Sequence, residues 1–447
     1  MEKLPVVGGG VQPTSKHKLP LSLSAQYVGT FAYKTVKDRL PIILTKVIDT
    51  VYQHRIAATE QHGKEGGSDC IEIVSHLSKL KHELQTNKEL LDIENDGNDD
   101  VRMWNQVLQQ EMDDDGNTPR FFKSAWLYVE CYMYRKIVES ISLSQHLKTF
   151  DPFGEQKKTA LYDCLKPATT LIQYCNESIE EKKSPDGIIA EFLQMSLWGN
   201  KCDLSISAGI KNSQKVSPLS QLHELGSKIL VNKSNQIWDT LNKANLNKPV
   251  RIDFILDNAG YEFMSDLCLA DCLTRLNLVD KVYFHCKAMP WFVSDVTPVD
   301  FSWTLDILGQ NESVILREFS RSVKQRLDDK VWNVSTHPFW TTPHSFYSME
   351  KISPDLHSDL AQSSLLIFKG DLNYRKLVLD RNWEHTVSFS EAINGFRPTA
   401  LCSLRTLKAN VVVGLQDGLA EELGKANPNW MVSGEYAVIE FAAKSFI

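Results

Sequence analysis

The sequence predicts an α/β protein: a three-layer α/β/α domain with a mostly parallel sheet, preceded by an α-helical N-terminal domain. Three observations carry that expectation. After about residue 250, short apolar runs alternate with helical or mixed segments, the pattern of a parallel sheet covered on both faces. Before residue 200, apolar residues recur at helical spacing instead. The chain has 447 residues, too many for one small core. The expected divisions are a disordered tail over 1–22, a helical domain over 23–222 ending in a mobile linker, and an α/β domain over 223–447.

The N-terminal tail is Gly, Pro, Lys and Ser rich. Helices are expected over Thr35–Tyr52, interrupted early by Pro41, and over Ile71–Leu84, Phe121–Ile141, Thr159–Ile179 and Ile188–Leu197. Acidic stretches at 94–100 and 111–117 tempt a calcium reading. Each has an apolar residue (Met103, Phe122) where an EF-hand loop requires a bidentate Glu, so solvated turns are expected. Ser196 to Ser205 reads as a loop or hinge, and 204–220 as a linker. Strands are expected at Arg251–Leu256, Lys281–Cys286, Val331–Ser335, Ser364–Phe368 and Leu401–Leu404, with edge strands at Val411–Leu415 and Tyr436–Phe441.

Composition excludes several function classes. Apolar content of 42% and charged content of 23% are those of a globular protein. A net charge of −7 argues against nonspecific binding to nucleic acid or anionic lipid. Nine scattered cysteines show no disulfide framework and no zinc spacing. The N-terminus lacks an apolar signal core and no run reaches transmembrane length, so a cytoplasmic location is expected, with the nucleus as a second compartment.

The chemistry concentrates at strand ends. In Arg251 to Asp266 a strand stops on Asp257-Asn258, turns at Gly260 and enters a helix. In a βαβ unit, ligands gather beyond the carboxyl ends of the strands. Asp257, Asn258 and Asp295 there are hard oxygen donors suited to Mg²⁺ or Mn²⁺; an ordinary turn and a helix cap are the bland alternative. Lys369-Gly-Asp371-Leu-Asn373-Tyr374-Arg375-Lys376 ends another strand, where backbone N–H groups with Arg375 or Lys376 suit a phosphate. Lys376 is expected to face solvent. Arg405-Thr406-Leu-Lys408 ends a third strand, expected to face the same crevice; a surface cation pair is the bland alternative.

Together, Trp198-Gly-Asn200-Lys-x-Asp203, Asp257-Asn258-x-Gly260-x-Glu262, Lys369-Gly-Asp371-Leu-Asn373-Tyr374-Arg375 and Arg405-Thr406-x-Lys408 resemble the metal-dependent damage-control phosphatases. They resemble more closely the subgroup also described as acidic-residue (protein-glutamate) O-methyltransferases, marked by Arg-Thr-x-Lys. The likeness begins near Ser24, with Phe31-Ala-Tyr and Lys37-Asp-Arg39. It implies a catalytic α/β domain with a divalent metal on Asp257, Asn258 and Asp295. Manganese is the first choice, with nickel, cobalt or magnesium as alternatives. It also implies small phosphorylated sugars, such as fructose 1-phosphate or fructose 6-phosphate, as substrates. Asp371, Leu372, Asn373, Tyr374, Arg375 and Lys408 would contact substrate, with Asn200 and Asp203 closing over it. Asp257, Asp295, Asp371 and Lys408 would carry catalysis.

Two other readings stand beside that one. An S-adenosylmethionine-dependent methyltransferase acting on protein glutamate would use Glu262 toward the nucleoside, but no Gly-rich turn follows a strand here. A non-catalytic interaction protein would leave the converging acids and cations without purpose. Asp257 as a covalent nucleophile is disfavoured, because Asp253 lies four residues before it, inside the strand, where an Asp-x-Asp strand end is wanted. The sequence leaves the oligomeric state open.

Overall fold

β2 (Arg251–Ile255), the helix Tyr261–Arg275 and β3 (Lys281–Cys286) form the parallel unit on which the rest of the sheet is built. The computed structural model describes residues 19–112, 118–205 and 224–444. Around that unit lie β1 (Ile229–Asn232), β4 (Trp332–Thr336), β5 (Leu365–Lys369), β6 (Leu401–Thr406) and β7 (Ala437–Ala442). The sheet runs β1-β7-β6-β5-β2-β3-β4. Only the β6–β7 pairing is antiparallel, so β1 and β7 run together against the rest. The five principal strands expected from apolar runs are all present. The run at Val411–Leu415 is instead an irregular segment, held by backbone bonds to Val387 and His385. The run at Tyr436–Phe441 pairs on both sides rather than forming an edge, because β1 caps it.

Strand alternation divides the core. Ile252, Phe254, Val282, Phe284, Leu365 and Ile367 face one helical layer, which includes Tyr261–Arg275, Pro298–Gln310 and Val314–Asp328. Ile255, Leu366, Phe368 and Leu401 face the other, built around Phe339, Trp340, Phe346 and Leu360. The helices Gly154–Glu180 and Pro185–Ser205 share the first of these cores. A separate apolar cluster joins Leu40–Gln85, Val101–Gln110 and Trp126–Ser142, and reaches Trp291, Leu372 and Ala409 at the sheet's carboxyl end.

Local differences from expectation have identifiable causes. Thr35 to Leu84 forms a π-helical turn, Thr35–Arg39, leading into Leu40–Gln85, whose course breaks only at Gly63 (φ 71°, ψ −166°). Pro41 does not end it, since it falls where the π-helical turn passes into the α-helix and the regular i→i−4 ladder is already interrupted. The segment from Ser196 is helix rather than hinge: a Cβ on Gly199 would fall 2.7 Å from the Glu262 Cα, so this glycine serves close helix packing. The acidic stretch at 94–100 is no solvated turn either. Arg135 bonds Asp96 (Nη1, 2.7 Å) and Asp100 (Nη2, 2.7 Å), and all three side chains are buried. Residues 113–117, and the expected linker from residue 206 to 220, lie outside the described residues.

Candidate active site

Two loops meet beyond the carboxyl ends of β2 and β3. The Ala259 N–H donates to Ser294 O (2.7 Å) and the Val296 N–H to Asp257 O (2.8 Å), making an antiparallel bridge between Asn258 and Asp295. Sequence spacing alone leaves Asp295 far along the chain; this pairing sets it beside Asp257. Phe292 (φ 42°) and Val293 (φ 72°) hold left-handed conformations that cost free energy in β-branched and bulky residues, as backbone at functional sites often does.

The loops border a cavity of about 450 Å³ whose lining includes Asp257, Asn258, Glu262, Asp295, Asp371, Leu372, Arg375, Thr406 and Lys408. Asn258 Nδ2 donates to Asp257 Oδ2 (2.7 Å) and Glu262 Oε2 (2.9 Å), while its Oδ1 accepts from Ser294 Oγ (2.5 Å). Burial, reinforced by the charges of Glu262 and Asp295, raises the Asp257 carboxyl well above the usual carboxylate range. Burial pushes Asp295 up to about 6, against the pull of Lys287. Lys287, directly after β3, donates to Leu256 O (2.8 Å) and stands 3.2 Å from Asp295 Oδ2. Lys369 bonds Ser196 O (2.6 Å) and stands 3.0 Å from Asp266 and 3.4 Å from Glu262. These buried lysines escaped the sequence reading. The available signal was a cation at the last or next position of the two parallel strands that flank β2.

The other expected residues separate into two groups. Lys408 and Asp371 line the cavity, and Asp371 Oδ1 accepts from Arg405 Nε (2.8 Å) and the Lys408 N–H (3.2 Å). Arg405 itself is fully buried, over the Tyr374 ring, and donates to the Ala409 and Val411 carbonyls. It therefore shapes the loop that presents Lys408. Arg375 lines the cavity with its donors committed to Glu130 (2.6 Å) and Asp380 (2.8 and 3.0 Å), above Trp126. Asn373 does not reach the cavity: its Nδ2 donates to Lys369 O (2.8 Å) and the Ile255 and Leu256 carbonyls. Tyr374 also turns inward, its hydroxyl accepting from the Val413 N–H (3.0 Å). Lys376, expected at the surface, is buried with Nζ on Thr342 O (2.8 Å). The side chains of Asn200 and Asp203 lie outside the described residues. Glu262 is buried at the cavity wall, where Asn258 and Lys369 engage it.

The donor set suits a hard cation. Asp295 Oδ2 is buried, with the Lys287 ammonium 3.2 Å away as its counter-charge. Gly370, at φ 79°, has no room for a side chain because the Asp257 carboxylate fills that place: a Cβ there would fall 1.8 Å from Oδ2. The close-set oxygen donors of Asp257, Asn258 and Asp295, all bordering the cavity, fit a divalent ion. Asp253, His285 and Asp359 also bring ligand atoms within 4.8 Å of one another. There Arg251 already occupies the space, bonding Asp253 (2.8 and 2.6 Å) and Asp359 (2.9 and 2.8 Å), so that group is an ion-paired network.

In class, a mostly parallel sheet whose carboxyl-end crevice gathers buried acids beside lysines is an α/β enzyme built for an anionic substrate. The profile of the family described as "Damage-control phosphatase ARMT1-like domain" matches residues 35–423. Proteins named "Damage-control phosphatase ARMT1" are similar throughout. That of Xenopus laevis is 45% identical over 95% of this chain and 99% of its own; that of Danio rerio, 44% over 95% and 97%. That of Homo sapiens is 40% identical over 95% and 98%. A solved DUF89 family protein from Pyrococcus horikoshii covers 76% of this chain and 87% of its own, at 16% identity and a TM-score of 0.40. The chain belongs to the ARMT1-like damage-control phosphatase family, and its enzyme class is phosphatase. No helix among the described residues is long and apolar enough to cross a membrane.

Proposed function

We propose that this phosphatase hydrolyses small sugar phosphates, fructose 1-phosphate and fructose 6-phosphate among them, with a divalent cation on Asp257, Asn258 and Asp295. The buried acid cluster of Asp257, Glu262 and Asp295, sharing one cavity with Lys408, is the observation that carries the reading. When bound, the cation supplies Lewis-acid polarisation of the phosphoryl group. Lys408 brings positive charge to the phosphoryl oxygens as charge builds on them. Asp371, one oxygen fixed by Arg405 and the Lys408 N–H, offers the other to a water or sugar hydroxyl. As now oriented, Asn258 turns its amide nitrogen into the acids; rotating the amide half a turn would present the oxygen there instead. Leu197, Trp126 and Phe292 line the cavity with apolar surface that limits water.

Phosphate release from a panel of sugar phosphates, with manganese, nickel, cobalt and magnesium added in turn, tests the reading. Asp257→Ala and chelation should each abolish release, with the circular dichroism spectrum unchanged. Full activity in chelated enzyme would sink it.

A further inference from the structure

The Lys37-Asp-Arg39 segment has no role in the chemistry above, yet it begins a wall of the same cavity. Arg39, Ile42, Ile43, Lys46, Val47 and Thr50 all line it. Spaced three and four apart, they form one helical stripe facing the space. The stripe opens on the π-helical turn Thr35–Arg39, a form that recurs at functional sites.

Cations deeper in the site are committed: Lys287 to Asp295, Lys369 to Asp266 and Glu262, Arg375 to Glu130 and Asp380. Arg39 and Lys46 are exposed and have no ion-pair partner among the described residues. Between them Ile42 stands 57% exposed, an apolar side chain on a cavity wall with nothing over it. Solvated charges on a helix face are common, but these two share their stripe with that apolar surface and border the cavity. Their position also differs from that of Lys408. The cations acting most on Asp257 are Lys287 and Lys408, whereas Arg39 acts on Glu130 and Tyr134.

We propose that Arg39 and Lys46 form a second anion subsite, which selects substrates carrying a phosphate or carboxylate besides the phosphate that is cleaved. The inference rests on the phosphatase reading above. A flexible sugar phosphate anchored at both ends loses less on reaching the reactive geometry, so the second anion raises kcat/KM.

The test compares wild type with the double variant Arg39→Gln, Lys46→Gln on fructose 1-phosphate, fructose 1,6-bisphosphate and 6-phosphogluconate. In wild type, kcat/KM should favour at least one ester that carries a second anionic group, and that preference should fall about tenfold or more in the variant. A preference confined to the bisphosphate identifies a phosphate subsite; one confined to the sugar acid identifies a carboxylate subsite. Titration calorimetry with uncleavable phosphonate analogues measures the same preference without turnover. If wild type cleaves none of the esters, the phosphatase reading fails while calorimetry still decides the subsite. Equal affinity in both proteins for analogues with one anionic group and with two would overturn the proposal.

Discussion

Lys408 and Lys376 each follow a strand end, but their surroundings make them opposites. Lys408 stands in the cavity with its backbone N–H on Asp371. Lys376 is buried between the Trp340 and Thr342 carbonyls, and burial lowers its pKa to about 8. Lys408→Ala should therefore lower kcat/KM by about a hundredfold with little change in melting temperature, because a charge meeting the transferring phosphoryl group is lost. Lys376→Ala should do the reverse, costing about 2–4 kcal/mol of stability by leaving two buried carbonyls without a donor. Denaturant unfolding and steady-state kinetics on the pair separate the effects. Equal, small effects on kcat/KM would make the Arg-Thr-x-Lys segment structural.

Among the elements, β7 and the segment before Val101–Gln110 each hide a charge. Glu440 on β7 is buried, its Oε1 lacks a hydrogen bond, and burial pushes its carboxyl up to about 8 from 4.5. The folded protein thus keeps a proton that the unfolded chain releases, and stability falls as pH rises from about 4.5 to 8. Glu440→Gln should melt higher than wild type at pH 9, with the gap closing toward pH 4; a constant gap would show that the carboxyl does not ionise on unfolding. Arg135 poses the opposite case. Its guanidinium ties Asp96 and Asp100 to Trp126–Ser142, and removing it leaves two buried carboxylates without their counter-charge. Arg135→Ala should cost about 3–5 kcal/mol, read by urea unfolding. A loss well below 1 kcal/mol would mean that water reaches those acids.

At the scale of the whole molecule, a cation that binds only the folded crevice must stabilise the entire chain. At a hundred times its dissociation constant, one such ion contributes about 2.7 kcal/mol. Manganese should raise the melting temperature of wild type and leave Asp257→Ala unmoved. An equal rise in both would place the ion elsewhere. The Asp253–His285–Asp359 group is not expected to compete, because Arg251 already bonds both of its carboxylates.

What the sequence by itself determined follows from short-range physics. Apolar period and length distinguished Lys281–Cys286 as a strand and Trp126–Ser142 as most of a helix. Strand-end chemistry marked Asp257, Asp371 and Lys408, since catalytic groups of parallel sheets collect beyond carboxyl ends. The edge strand Ile229–Asn232 was missed because four residues are too few to show a period. Other outcomes needed the tertiary structure, because a charged side chain's role depends on which distant group neutralises it. Arg405, Lys376 and Arg135 look like surface cations in a linear reading, yet each is buried by partners that only folding supplies. The antiparallel bridge between Asn258 and Asp295 likewise joins segments that no local pattern connects, and only packing turns the stripe from Arg39 to Thr50 toward the cavity. Local periodicity encodes which face of an element is apolar; packing then decides which charges meet across the cavity.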